Sequence, residues 1–153
     1  VSLPRRHSHF RAVNVLSFAS PEEINWPFGH KTMNKVNLLA IPTLRIMDYW
    51  QALDFYLDYL GFKMDWEHRF GEDEPVYMQI SKNRMKLHLT ENERFQTGNI
   101  IYVDTRGLKS FHRQLLRRDP KRTPIEIMET KWGTLQVEIE DPFGNLLRFN
   151  QNL

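Results

Sequence analysis

The chain has 153 residues, enough for one domain with a substantial core, and its 41% hydrophobic and 12% aromatic content marks a folded protein. It contains no cysteine, which excludes disulfide staples, zinc knuckles and thiol catalysis and fits a reducing cytoplasm; no apolar run approaches the roughly 20 residues of a membrane span. The net charge of +2 resides in residues 1–32, where Arg5, Arg6, Arg11 and Lys31 face Glu22 and Glu23, so residues 33–153 are neutral and a nucleic-acid partner is not indicated.

Residues 1–32 show no sustained period and are broken by proline and charge. They read as a disordered extension upstream of a natural start at Met33, with a single domain over 33–153. "LLAIPTLRI" (38–46) predicts an edge or bulged strand, given Pro42. Asp48 is placed to cap a helix running to Leu60, with Trp50, Leu53, Leu57 and Leu60 on its inner face and Gly61 as its stop. "FKMDWEHRF" (62–70) alternates as a strand that puts Met64, Trp66, His68 and Phe70 on one face. "VYMQIS" (76–81) and "MKLHLT" (85–90) flank a hairpin turn at Asn83 and Arg84.

After a polar connection the order of strand, helix and three strands returns. "NIIYVDT" (99–105) predicts a strand, and "GLKSFHRQLLRR" (107–118) a helix with Leu108, Phe111 and Leu115 inward. "IEIMETKWG", "TLQVEIE" and "LLRFNQ" predict three more strands, the last two joined by the tight turn "DPFGN". In the final strand Leu147 and Phe149 share one face while Leu146, Arg148 and Asn150 share the other. The halves, about 36–90 and 99–150, are too small to bury their sheets alone, so they are expected to pair. The basic run "RRDPKR" (117–122) reads as a solvated surface complementing a helix C-terminus.

The duplicated βαβββ pattern, "FYLDYLGF" closing the first helix and the terminal "DPFGN" together resemble the vicinal-oxygen-chelate superfamily, which includes glyoxalase I, extradiol dioxygenases and bleomycin-resistance proteins. "IPTLRIMDYWQALDFYLDYLGFKMDW", "TRGLKSFH" and "ETKWGTLQVEIEDPFGNLLRF" are most similar to the bleomycin-resistance branch. The resemblance covers about 38–150. It implies an α+β fold in which two paired βαβββ modules form one curled mixed sheet with a concave ligand groove, in a homodimer. Metal-dependent relatives carry His, Gln or Glu ligands at positions that fall here near Ile41, at Gly98 or Asn99, and at Arg148. None of these side chains suits a divalent metal, so no metal or other cofactor is expected.

The resemblance further implies that Trp66, Phe70, Tyr102 and Trp132 line an antibiotic groove, where flat rings suit planar heteroaromatic ligands. His88 is a further ligand-contact candidate, and Arg148 in the groove favours an anionic or carbonyl-bearing ligand. The neutral charge of residues 33–153 does not match the acidic surface implied for binders of cationic glycopeptides. The expected function is therefore sequestration of a toxic or antibiotic small molecule, without turnover. Two alternatives stand beside it: a metal-dependent lyase or dioxygenase using His68 and His88 with Glu67 or Glu129, and a regulatory or scaffold module with a vestigial groove.

Overall fold

The computed structural model of the protein describes residues 38–120 and 125–153. The extension expected over 1–32, and Lys121 and Arg122 of the basic run, lie outside these residues. The first module comprises β1 (Thr43–Arg45), α1 (Tyr49–Leu53), β2 (Lys63–His68), β3 (Tyr77–Lys82) and β4 (Met85–Thr90). The second comprises β5 (Ile100–Asp104), α2 (Leu108–Arg118), β6 (Met128–Glu129), β7 (Thr134–Glu140) and β8 (Leu146–Asn152). The expected element order is present in both halves, although β6 is much shorter than "IEIMETKWG" suggests. Among the described residues no helix is long and apolar enough to cross a membrane.

The single curled sheet is not what the chain forms. There are two separate open sheets of four strands, ordered β1-β4-β3-β2 and β5-β8-β7-β6. In each, one edge strand pairs in parallel (β1 with β4, β5 with β8) and the other neighbours are antiparallel. The physical reason is that the modules join through helices and one turn, rather than by continuing a hydrogen-bonded ladder from one sheet into the next. A single apolar cluster runs through both modules, from Leu44, Phe55 and Leu87 to Leu115, Val137 and Phe149.

Asp48 caps α1 as expected, its carboxylate accepting from the Gln51 amide at 2.8 Å. The helix then widens into a π-helical stretch, Asp54–Tyr59, closed by Leu60 N–H donating to the Phe55 carbonyl at 2.9 Å. Its inner face differs from the predicted one. Ala52, Phe55, Tyr56, Tyr59 and Leu60 are buried, whereas Trp50 is exposed and Leu53 and Leu57 are only partly covered. A tyrosine-bearing stripe can turn inward because the Tyr56 hydroxyl has a buried partner. It donates to Asp141 Oδ2 at 2.6 Å, across 85 residues of sequence. Burial, reinforced by the Asp141 charge, pushes the Tyr56 phenol far above its ordinary range.

Asp141 and Asn145, the ends of "DPFGN", tie the modules together. Asp141 is buried and also accepts from the Phe143 and Asn145 amides, at 2.9 and 2.7 Å, and from Asn145 Nδ2 at 2.8 Å. Asn145 Nδ2 donates in addition to the Arg45 carbonyl on β1, while its Oδ1 accepts from the Asn99 amide just before β5. A second tie runs from Arg118 at the end of α2. Its guanidinium donates to the Tyr59 carbonyl at 3.0 Å and lies over Gly61, where a Cβ would collide with it. Gly61 also has φ +75°, where an L side chain is strained, and a Cβ there would displace the Arg118 guanidinium. Arg117 and Arg118 are exposed in the last turn of α2, as expected of the basic run, and Arg118 makes this structural contact in addition.

Tyr56→Phe is expected to lower unfolding free energy by about 1.5–3 kcal/mol, the worth of a buried hydrogen bond to a charged group. Asp141→Ala is expected to cost more, about 3–5 kcal/mol, because several buried donors then lose their acceptor at roughly 1–3 kcal/mol each. Urea denaturation of both variants checks the size and the order of the two losses.

Candidate functional site

The helix-facing sides of the sheets are core, which leaves their outer faces to polar and aromatic side chains. On β3 and β4 Met78, Ile80, Leu87 and Leu89 point into the core, while Tyr77, Gln79, Ser81 and His88 lie on the opposite face, where Gln79 is itself buried and the other three are half-buried. On β2 the alternation is broken. The register slips between Met64, opposite Ile80, and Trp66, opposite Gln79. This bulge sends Met64 to the core but puts Trp66 on the outer face, and the extra residue, Asp65, reaches that same face. The predicted common face of Met64, Trp66, His68 and Phe70 is therefore split.

The outer face of the first sheet carries a chain of hydrogen bonds whose direction can be worked out. Asp65 Oδ2 can only accept, so the atom of Gln79 that faces it at 2.7 Å is Nε2. Gln79 Oε1 is then turned to His88 Nε2, 3.1 Å away, and that ring nitrogen is the donor. In a neutral imidazole His88 Nδ1 accepts from the Tyr77 hydroxyl at 2.9 Å, and the Thr43 hydroxyl, 3.4 Å from Tyr77 Oη, completes the row. Ser81 Oγ anchors the far end by donating to Asp65 Oδ1 at 2.7 Å. The Ser81 hydroxyl, then the Gln79 amide and the charge of Lys86, hold the Asp65 carboxyl below the usual range, against a small opposing effect of burial.

Trp66 lies on this network. Its ring stacks on Tyr77 with centroids 6.0 Å apart and planes 15° from parallel, and it meets His88 edge-on at 5.4 Å. Trp66 is 42% exposed, so much of the ring remains open to solvent. Phe70, 79% exposed beyond the end of β2, contacts the ring of His68 and has no described contact with Trp66.

The second sheet presents Tyr102, Arg148 and Glu138 in one row across β5, β8 and β7. Arg148 Nε donates to Glu138 Oε1 at 2.6 Å, and Gln136 Nε2 donates to the same oxygen at 2.9 Å. Arg148 is thus paired through Nε with a cross-strand carboxylate. In the next row Asn150 is buried, and its Oδ1 has no hydrogen-bond partner among the described residues. Tyr102 is 61% exposed, and Trp132, in the β6–β7 turn, is 71% exposed. The structure therefore brings Trp66 and His88 together on one sheet and Tyr102 and Arg148 together on the other. Among the described residues no ring contact or hydrogen bond joins the two groups.

A metal does not fit these faces. Among the described residues no three His, Asp or Glu side chains gather into a metal-binding group. Glu67 is turned to the helix side, where it accepts from the Tyr49 hydroxyl at 2.6 Å. His68 packs on Phe70, and Glu129 is on the other sheet, so the rearranged site drawn from these residues is not assembled. Arg148 adds a guanidinium to the outer face of the second sheet, which would repel a cation there.

A protein-family model described as glyoxalase superfamily protein matches residues 27–153. Among curated proteins none matches the chain. The structure is similar to that of a bleomycin-binding protein complexed with bleomycin, at TM-score 0.62 and 22% identity over 76% of this chain and 100% of that one. It is similar to TnmS3, an antibiotic binding protein from Streptomyces sp. CB03234 (TM-score 0.58, 19% identity, 78% and 98% covered). A bleomycin resistance determinant encoded on the transposon Tn5 matches at TM-score 0.59 and 20% identity, with 76% and 98% covered. At these identities the likeness is one of fold.

The depressed Asp65 pKa has a pH consequence of definite sign. Its stabilising effect is full above the unfolded-state value of about 3.9 and fades as pH falls through the lower folded value. Asp65→Asn should therefore be less stable than the parent at about pH 5, with the gap closing toward about pH 2. Thermal melts of both proteins across that range check it; a gap that stays constant with pH contradicts the assignment.

Proposed function

Because the chain belongs to the glyoxalase superfamily, we propose that it is a small-molecule-binding protein of the bleomycin-resistance type, which sequesters an antibiotic or toxic compound stoichiometrically, without a metal and without turnover. The observation that carries this reading is the Trp66 ring, stacked on Tyr77 and abutting His88, whose positions are fixed by the row of hydrogen bonds to Asp65. A ring held in place offers a flat ligand a stacking surface at little entropic cost. Similar structures include proteins described as bleomycin-binding and antibiotic binding, which supports the ligand class.

In this reading the working unit is a cytoplasmic homodimer. The second copy brings Tyr102, Trp132 and Arg148 of its second sheet against Trp66 and His88 of the first, with Phe70 at the rim. What supports this is that the two groups stand on separate sheets of one chain, with Trp66, Ile100, Tyr102, Met128 and Trp132 left exposed. The ligand is planar and heteroaromatic. With Arg148 already paired to Glu138, an anionic group on the ligand is not required.

Tryptophan fluorescence during titration with bleomycin or phleomycin, each with and without copper, tests the proposal. Saturable quenching at one ligand per chain is expected, and Trp66→Ala should weaken binding about tenfold or more, since a lost stack removes about 0.5–1.5 kcal/mol beyond the contact area lost with it. A flat titration with every member of the panel would remove the bleomycin group as ligands. Sedimentation of a pure monomer at micromolar concentration would overturn the dimer.

A further inference from the structure

A cleft of about 510 Å³, within the size range of small-molecule sites, shares no lining residue with the Trp66–His88 network. One wall is the β3–β4 hairpin tip, Lys82 to Met85; the other is the turn from β5 into α2, Asp104 to Gly107, with Ser110 and Gln114 beyond it. Its floor is apolar, formed by Met85, Val103, Phe111 and Phe149, of which the last two rings are in contact at 4.8 Å. Its rim is basic. Lys82, Arg84 and Arg106 line it against a single carboxylate, Asp104.

These cations are not equivalent. Lys82 is committed to the fold: Nζ donates to the Leu60 carbonyl at 2.7 Å and sits 5.1 Å from the centre of the Phe111 ring. Its charge is poorly solvated, and burial, then repulsion from Arg118, lowers its pKa. Arg84 and Arg106 are exposed and have no ion-pair partner among the described residues. Arg106 adjoins the start of α2, where the Leu108 amide donates to Gln151 Oε1 at 2.8 Å and the capping Gly107 has a left-handed backbone; a Cβ there would meet open space. Lys82, Arg84 and Arg106 therefore surround an apolar floor, and among the lining residues only Asp104 opposes them.

We propose that this cleft is a second binding site, separate from the outer-face aromatics, for a small carboxylate with a flat apolar body. The body lies on Phe111, Met85 and Val103. The carboxylate sits between Arg84 and Arg106 at the start of α2, where guanidinium forks match its geometry. Because the two sites share no residue, this inference stands whether or not the outer face binds an antibiotic.

The test uses the full chain and methyl NMR, titrated with 2-naphthoate and, as the neutral control, 2-naphthalenemethanol. Naphthoate should shift the Met85 and Val103 methyl resonances in a saturable way, at least about tenfold more tightly than the alcohol. The double variant R84A/R106A should lose that preference, and Trp66→Ala should keep it. Gln114→Trp, which narrows the cleft without removing charge, should also weaken naphthoate. The proposal is overturned if the alcohol binds as tightly as the acid, if the double variant retains the preference, or if naphthoate shifts only the Trp66 indole. That last outcome would leave the outer-face reading standing.

Discussion

The buried carboxylate of Asp141 is the interaction on which the rest of this molecule depends. A single side chain accepts from two amides of its own turn, from the Asn145 side chain and from the Tyr56 hydroxyl of the other module. Asn145 extends the same junction to β1 and to the residue before β5. With four donors around it, the carboxylate is the kind of buried charge that is tolerable because its hydrogen-bonding capacity is filled. The consequence is geometric: the two modules are fixed through a helix and a turn, and each four-stranded sheet keeps its own outer face.

Those outer faces are built differently although the modules repeat. The first uses a bulge to gather Asp65 and Trp66 beside Gln79, His88 and Tyr77, so that an aromatic surface is locked by side-chain hydrogen bonds. The second spends its one cation on Glu138 and leaves Tyr102 and Trp132 open. A rigid stacking surface on one sheet and looser aromatics on the other suit the two sides of a ligand sandwich between copies. The cleft at the start of α2 has a different character, with two exposed arginines over an apolar floor.

Much of the fold was legible in the sequence because hydrophobic periodicity and turn residues are local signals. Strand, helix and three strands, twice over, followed from them, as did the faces of β8. The inner face of the first helix was misread because the stripe Phe55, Tyr56, Tyr59 is buried only by virtue of a partner 85 residues away. The bulge at Asp65 was invisible because period-two alternation assigns Asp65 to the face opposite Trp66, and only the register to β3 reveals the slip. The expected curl of one continuous sheet came from resemblance, and no pattern in the chain specified it. By contrast, Tyr77 and Gln79 could have been found from the alternation of β3 with its buried Met78 and Ile80. The Arg148–Glu138 pair also follows from counting outward across the "DPFGN" hairpin.

The most direct test of the central claim is the NMR response of the four tryptophan indoles during titration of the intact protein with copper-free bleomycin and a panel of planar heteroaromatic antibiotics. For the ligand that binds, the Trp66 indole and the His88 ring resonances should move together in one saturable step, with the hydrogen-bonded row intact. Tight binding that leaves the Trp66 and His88 resonances unmoved would contradict it.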